Sequence, residues 1–219
     1  MKKVQIVANF KSNKTEKEAL DWIENFSKKY KPLNEREIII CPSFTSLADL
    51  SKFILEKKLD IVLGAQNVSP FDSGPFTGEV NAAQLKEFCS YCIVGHSERR
   101  EKFSEDLSVI NDKIANLIRE NITPILCMSA VEQLQGVQNL ENCIIAYEPL
   151  GAIGSREPQD PQEASKITEE IRNIADTKVL YGGSVNPQNA QPYLNFFDGV
   201  LVGEDSLDPD LFSQIVNNA

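Results

Sequence analysis

The sequence predicts an α/β protein of the (β/α)8 barrel type, and three observations carry that prediction. Short strand-like runs alternate with helix-like segments along all 219 residues, eight times over. The strand runs are continuously apolar rather than alternating, which is how parallel strands covered on both faces read. No shift in composition marks a linker, so the expectation is a single domain over residues 1–219. Repeated β–α units leave two architectures, an open doubly wound sheet and a closed barrel. Eight units favour the barrel, at the short end of its size range.

Each element has a local reason. The first strand is Val4 to Asn9. Thr15-Glu16-Lys17-Glu18 follows as a capping box, in which hydroxyl and carboxylate each satisfy an N–H at a helix start. The helix it opens carries Leu20, Ile23 and Phe26 at helical spacing. Glu37 to Cys41 is the second strand, stopped by Pro42, which has no N–H for a ladder. Leu47 to Leu55 is its helix, and Asp60 to Gly64 the third strand. Asn67 to Gly78, with Pro70, Gly74, Pro75 and Gly78, reads as a long irregular loop. Loops of that length in compact domains are usually functional or disordered.

Asn81 to Phe88 reads as a short helix and Tyr91 to Val94 as the fourth strand, running into Gly95-His96. Asp106 to Glu120 is an amphipathic helix with Leu107, Ile110, Ile114, Leu117 and Ile118 as its stripe. Thr123 to Met128 is the fifth strand. The helix after it, Ala130 to about Asn139, is weakly patterned, so the helix 5 region is expected to be reduced. Cys143 to Ala146 begins the sixth strand, which ends at Glu148 and Pro149. Asp160-Pro161-Gln162-Glu163 is a helix start, with Asp as cap and Pro in the first turn. Val179 to Tyr181 is the seventh strand, followed by Gly182-Gly183-Ser184 and a helix begun by Asn186-Pro187. Gly199 to Val202 is the eighth, ending at Gly203, with a last helix from Asp208-Pro209.

Composition excludes several classes of function. A net charge of −10 argues against nonspecific nucleic-acid binding and against anionic membrane surfaces. No apolar run approaches the roughly 20 residues that span a bilayer. The start, MKKVQIVANF, is broken by Asn9 and Lys11 and does not read as a signal peptide. The five cysteines are not spaced as a disulfide framework, and Cys89-x-x-Cys92 has no second pair for zinc. A reduced, cytoplasmic setting without a metal is the expectation.

The residues that could carry chemistry sit where strands end, the functional face of such a barrel. Glu148 ends the sixth strand, followed by Leu150-Gly151-Ala152-Ile153-Gly154, an apolar loop suited to closing over a site. By itself that pattern equally fits a buried, salt-bridged glutamate. Lys11, just after the first strand and two residues past Asn9, could supply local positive charge; a lone lysine is ordinarily solvated. His96 is the only histidine. Ser97 to Arg100 could open a short helix whose positive end disfavours an imidazolium, leaving His96 a neutral hydrogen-bond donor. The glycine-rich ends of strands seven and eight, with Gly154, could cradle an anion, although each glycine alone is more simply a turn residue. A carboxylate base, a neutral imidazole, an ammonium and a phosphate cradle suit proton abstraction beside a carbonyl. Glu148 would take the proton, and His96 and Lys11 would stabilise the enediolate oxygen. The loop would keep water from the phosphorylated intermediate.

The segments ANFKSN, GAQNV with SGPFTGE, VGHSERR, PILC, AYEPLGAIGS, LYGGSV and GVLVG run in this order from Ala8 to Gly203. They resemble the motif series of the triosephosphate isomerase family. The resemblance implies the TIM barrel and interconversion of dihydroxyacetone phosphate and D-glyceraldehyde 3-phosphate without a cofactor, in glycolysis and gluconeogenesis. It implies Glu148 as base, His96 as electrophile, Asn9 and Lys11 as substrate contacts and Glu98 as their catalytic neighbour, roles that come with the family. It further implies phosphate binding by Gly154, Ser184 and Gly203, and a homodimer. There the loop tip with Thr77 and Glu79 would reach the partner subunit's Asn9 and Lys11. Four places depart from the family pattern. Phe10 and Gly151 stand where tryptophan is usual, and Ser129-Ala130 where Gly-Glu is usual. Glu204 replaces a second glycine after strand eight, so its N–H could still donate to phosphate while its side chain is expected to face out. Two other readings stay open: another phosphosugar isomerase or epimerase, whose metal-dependent form needs more histidines, and a silent phosphate-binding paralogue.

Overall fold

Parallel pairing in chain order joins β1 (Val4–Asn9), β2 (Arg36–Cys41), β3 (Val62–Ala65), β4 (Tyr91–Val94), β5 (Thr123–Met128), β6 (Ile144–Tyr147), β7 (Val179–Tyr181) and β8 (Gly199–Val202). The last strand returns to the first, Gln5 opposite Gly199 through Ala8 opposite Val202, so the sheet closes into the expected barrel. Closure depends on Gly199, because a Cβ there would lie 2.0 Å from the Gln5 carbonyl oxygen. The computed structural model describes residues 3–149, 151 and 158–219.

The helices are α1 (Glu16–Ser27), α2 (Leu47–Lys57), α3 (Ala82–Leu85), α4 (Ser97–Lys102), α5 (Leu107–Arg119), α6 (Pro161–Ile174), α7 (Ala190–Leu194) and α8 (Pro209–Asn218). Their starts use the chemistry read from the sequence. Thr15 and Glu18 form the capping box of α1, and Asp106 caps α5. Asp160 and Asp208 cap α6 and α8, each with proline in the first turn. Each cap satisfies N–H groups that the helix itself cannot pair.

Two packed layers result. Val7, Ile39, Ile93, Ile125, Ile144, Leu180 and Leu201 fill the inside of the barrel. A second, larger layer lies between strands and helices, where Ile23, Phe26, Leu50, Ile110, Ile114, Leu117, Phe212 and Ile215 are buried. Phe10, in place of the usual tryptophan, is fully buried and meets the Trp22 ring edge-on at 4.8 Å.

Two helix expectations need correction. The segment after β5 forms two 3-10 turns, Val131–Leu134 and Leu140–Asn142, and no α-helix. Gly136 and Asn139 between them have φ of 81° and 57°, a left-handed conformation that stops a helix from running through. The helix after β7 begins at Ala190 rather than at Asn186-Pro187. The Asn186 side chain accepts from the N–H groups of Gln188 and Asn189 and closes a turn there instead. Smaller shifts are that α3 stops at Leu85 and that Leu107, assigned to the apolar stripe, is 40% exposed.

Candidate active site

The C-terminal strand ends open on a cavity of about 480 Å3. Asn9, Lys11, His96, Glu148, Ser184, Gly203 and Glu204 all line it, although they come from five strand ends between the first and the eighth. Gly182, from the glycine-rich end of the seventh strand, also lines it, and Val185, Asn186, Gln188, Leu201, Asp205 and Leu211, to which sequence reasoning gave no site role, complete the described lining.

Three of these side chains are nearly shut off from solvent: Asn9 and His96 are 5% exposed and Glu148 is 4%. Glu148 follows β6, and its N–H donates to the Met128 carbonyl at 2.8 Å, which ties this carboxylate residue to the end of β5. Its Oε1 lies 3.2 Å from His96 Nε2. Its Oε2 is buried without a hydrogen-bond partner among the described residues. A buried carboxylate oxygen with no donor is costly, and such groups persist where function uses them.

His96 caps the short helix α4, and its Nδ1 accepts the Glu98 N–H at 3.3 Å. A ring nitrogen that accepts carries no proton, so the proton is assigned to Nε2, which faces Glu148. Burial pushes the imidazole pKa down, but the hydrogen bond and charge of Glu148, with the charge of Glu98, outweigh it and the net direction is up. The Glu98 N–H opposes a second proton on Nδ1, so the geometry favours the neutral, Nε2-protonated ring.

Lys11 follows β1 with φ of 51°, and Ser184 after β7 has the same angle. Side-chain-bearing residues hold this conformation at a cost of about 1–2 kcal/mol, and such strain clusters at functional sites. The Asn9 Oδ1 accepts the Lys11 N–H at 3.0 Å, fixing the turn. The Lys11 ammonium donates to Glu98 Oε1 at 2.6 Å. Burial pushes the Glu98 carboxyl up, but the Lys11 hydrogen bond and charge outweigh it and hold it below the usual carboxylate range. A Cβ placed on Gly203 would lie 3.9 Å from the Lys11 ammonium nitrogen, so the cation sits beside the end of β8. Glu98 therefore acts on the site through Lys11 and His96 rather than by lining the cavity.

The other assignments fall elsewhere. Glu204 is exposed at the cavity rim, in a 3-10 turn that begins there. Thr77 and Glu79 lie on the exposed tip of the long loop and do not line the cavity. That tip is braced by Phe71 stacked on Phe76 at 4.2 Å. Gly154 and the apolar loop, apart from the exposed Gly151, lie outside the described residues. The arrangement offers a carboxylate with an open lone pair, a neutral imidazole and an ammonium converging on one space. That set can move a proton beside a carbonyl and stabilise the oxygen charge that develops.

Comparison with known proteins gives the same direction. The family model described as triosephosphate isomerase matches residues 4–219. A protein named triosephosphate isomerase from Aquifex aeolicus is 40% identical over 242 residues, covering 96% of this chain and 97% of the relative. One from Dictyoglomus thermophilum is 39% identical over 251 residues, covering 100% of both chains. One from Trichodesmium erythraeum is 38% identical over 241 residues, covering 99% of both.

Proposed function

This chain belongs to the triosephosphate isomerase family, and from that premise we propose that Glu148, His96, Lys11 and Asn9 are its catalytic groups. The reaction interconverts dihydroxyacetone phosphate and D-glyceraldehyde 3-phosphate by proton transfer through an enediolate, in glycolysis and gluconeogenesis. The Oε2 of Glu148, buried and without a partner among the described residues while Oε1 faces His96, is the observation that carries the assignment of the base. Glu148 takes the carbon-bound proton and returns it to the neighbouring carbon. His96, held neutral by the Glu98 N–H, donates through Nε2 to the substrate oxygens. Lys11 adds positive charge, which Asn9 and Glu98 aim by fixing its backbone and its ammonium. Ser184, Gly203 and the Glu204 N–H hold the phosphate at the ends of β7 and β8, together with Gly154.

The rest of the reading is coarser. Strands from Val4 to Val202 closing one barrel support a single domain over residues 1–219. A homodimer through the Thr77–Glu79 tip is supported by its exposure and by the exposed Phe71 beneath it. Five buried thiols outside any disulfide support a reducing, cytoplasmic setting, and no helix among the described residues is long and apolar enough to cross a membrane. The net charge of −10 argues against nucleic acid as a partner, and the small phosphorylated substrate follows from the family.

A coupled assay with glyceraldehyde 3-phosphate tests the base. Glu148→Gln keeps the shape but cannot accept the proton, so turnover is expected to fall on the order of 10³-fold with the fold intact. Turnover near that of the unaltered protein would remove Glu148 from this role.

A further inference from the structure

We infer that Arg100 is a positioning residue for the isomerase reaction: its guanidinium clamps the Gly95 and Cys127 carbonyls and thereby sets the spacing of His96 and Glu148. The inference rests on reading those two residues as the catalytic pair. The ladder between β4 and β5 runs from Tyr91 opposite Thr123 to Val94 opposite Leu126 and stops there. One residue further on, Gly95 and Cys127 have left that ladder. Arg100 Nε donates to the Gly95 carbonyl at 2.7 Å and Nη2 to the Cys127 carbonyl at 3.2 Å. Two parallel donors on one planar fork thus replace the pairing that the strands give up.

Both ends of this bridge lead to the reacting groups. Gly95 is followed directly by His96, and it turns the chain with φ of 64°. A Cβ on Gly95 would lie 2.9 Å from Arg100 Nη2 and 3.2 Å from Ile110 Cδ1, so the guanidinium occupies the room that glycine leaves. On the other side Cys127 pairs with Ala146 of β6, and the next residue, Met128, accepts the Glu148 N–H at 2.8 Å. The bridge therefore joins the backbone leading to the imidazole with the backbone leading to the carboxylate, whose atoms stand 3.2 Å apart. Arg100 itself does not line the cavity. It acts only through the groups it holds.

A single histidine gives an unambiguous probe, because 15N-histidine labelling then reports one imidazole. Arg100→Lys keeps the charge but can bridge the two carbonyls only poorly. Its kcat is expected to fall at least about tenfold, as misplacement of catalytic groups would cause. The KM should stay within about threefold, the signature of a loss felt in the transition state. The imidazole resonances should shift in the folded variant, and millimolar guanidinium should restore part of the kcat of Arg100→Ala where methylammonium does not. Turnover of both variants within about twofold of the unaltered protein would overturn the inference. So would a loss that tracks the unfolded fraction while the imidazole resonances of the folded protein stay fixed. Glu148→Gln run alongside separates the two readings. If it is inactive while Arg100→Lys is not, only the positioning role fails; if it is active, the catalytic pair itself is wrong.

Discussion

Glu148 gains its position from a neighbour with no side chain. A Cβ on Gly182, the residue after β7, would lie 2.8 Å from Glu148 Cγ and 3.5 Å from both Glu148 Oε1 and the Tyr147 carbonyl oxygen. The Gly182 N–H is already bonded to that carbonyl at 2.8 Å, so the backbone cannot retreat cheaply. Gly182→Ala should therefore push the carboxylate off His96 rather than unfold the barrel. A displacement of about 1 Å costs on the order of 10²-fold in turnover, so kcat should drop by that order while the unfolding temperature moves little. Steady-state kinetics and a thermal melt of the same sample check it, and a kcat within about twofold of the unaltered protein would refute it. At this scale the sequence made the convergence of the strand-end residues on one cavity legible and left the contacts hidden. Asn9, Lys11, His96 and Glu148 were readable because an apolar strand that ends on a polar side chain marks a barrel's functional face. That Gly182 abuts Glu148, or that Arg100 spans two carbonyls, depends on distances between strands that no local pattern encodes.

One helix, α5, shows how far periodicity reaches. Its stripe of Ile110, Ile114 and Leu117 is fully buried, as the spacing predicts. The same helix buries Lys113 and Asn116, which a polar reading puts in solvent. Lys113 donates to Asn67 at 2.7 Å and to Glu105, Asn116 donates to the Pro70 carbonyl at 2.9 Å, and Arg119 pairs with Asp72. Asn67, Pro70 and Asp72 lie in the long loop and Glu105 lies just before the helix, which is why the burial could not be read from the helix's own spacing. Arg99 of α4 also pairs with Glu105, so a single carboxylate joins α4 to α5. Burial pushes the Glu105 pKa up, but Lys113 and Arg99 outweigh it and the net direction is down. For Lys113 burial wins and its pKa is lowered, so the benefit of the pair resides with the carboxylate that has two cations. A depressed folded pKa contributes stability fully present above the ordinary carboxylate value and lost as pH falls through the depressed one. Removing the charge from such a buried pair costs about 3–5 kcal/mol. Glu105→Gln should therefore lower the urea midpoint strongly at pH near 7, with the gap to the unaltered protein closing below about pH 4. A gap that stays constant with pH would contradict the charge account.

At the scale of the whole molecule, the eight strands and their closure were legible, while the thinness of one wall was only half so. The alignment with the Dictyoglomus relative runs over 251 positions against 219 residues here, so that relative carries segments this chain lacks. Between β5 and β6 only 3-10 turns remain, with Leu134 and Leu140 still buried beneath them. A weak apolar pattern signalled the reduction but not its outcome, because left-handed Gly136 and Asn139 decide it. The net charge of −10 then acts on the molecule as a whole. The substrate is an anionic phosphate, so the long-range field opposes its approach. Near the cavity Lys11 is bonded to Glu98, and Glu148, Glu204 and Asp205 stand in the lining, so the described residues do not reverse that field locally. Salt shortens the reach of the repulsion, from about 30 Å at 0.01 M to about 10 Å at 0.1 M. Screening a repulsive encounter raises its rate, so kcat/KM for glyceraldehyde 3-phosphate should rise a few-fold as sodium chloride increases over that range. The turnover number kcat, which no longer depends on encounter, should stay level across the series. A kcat/KM that falls with salt would mean that a local positive field at the mouth outweighs the charge of the whole.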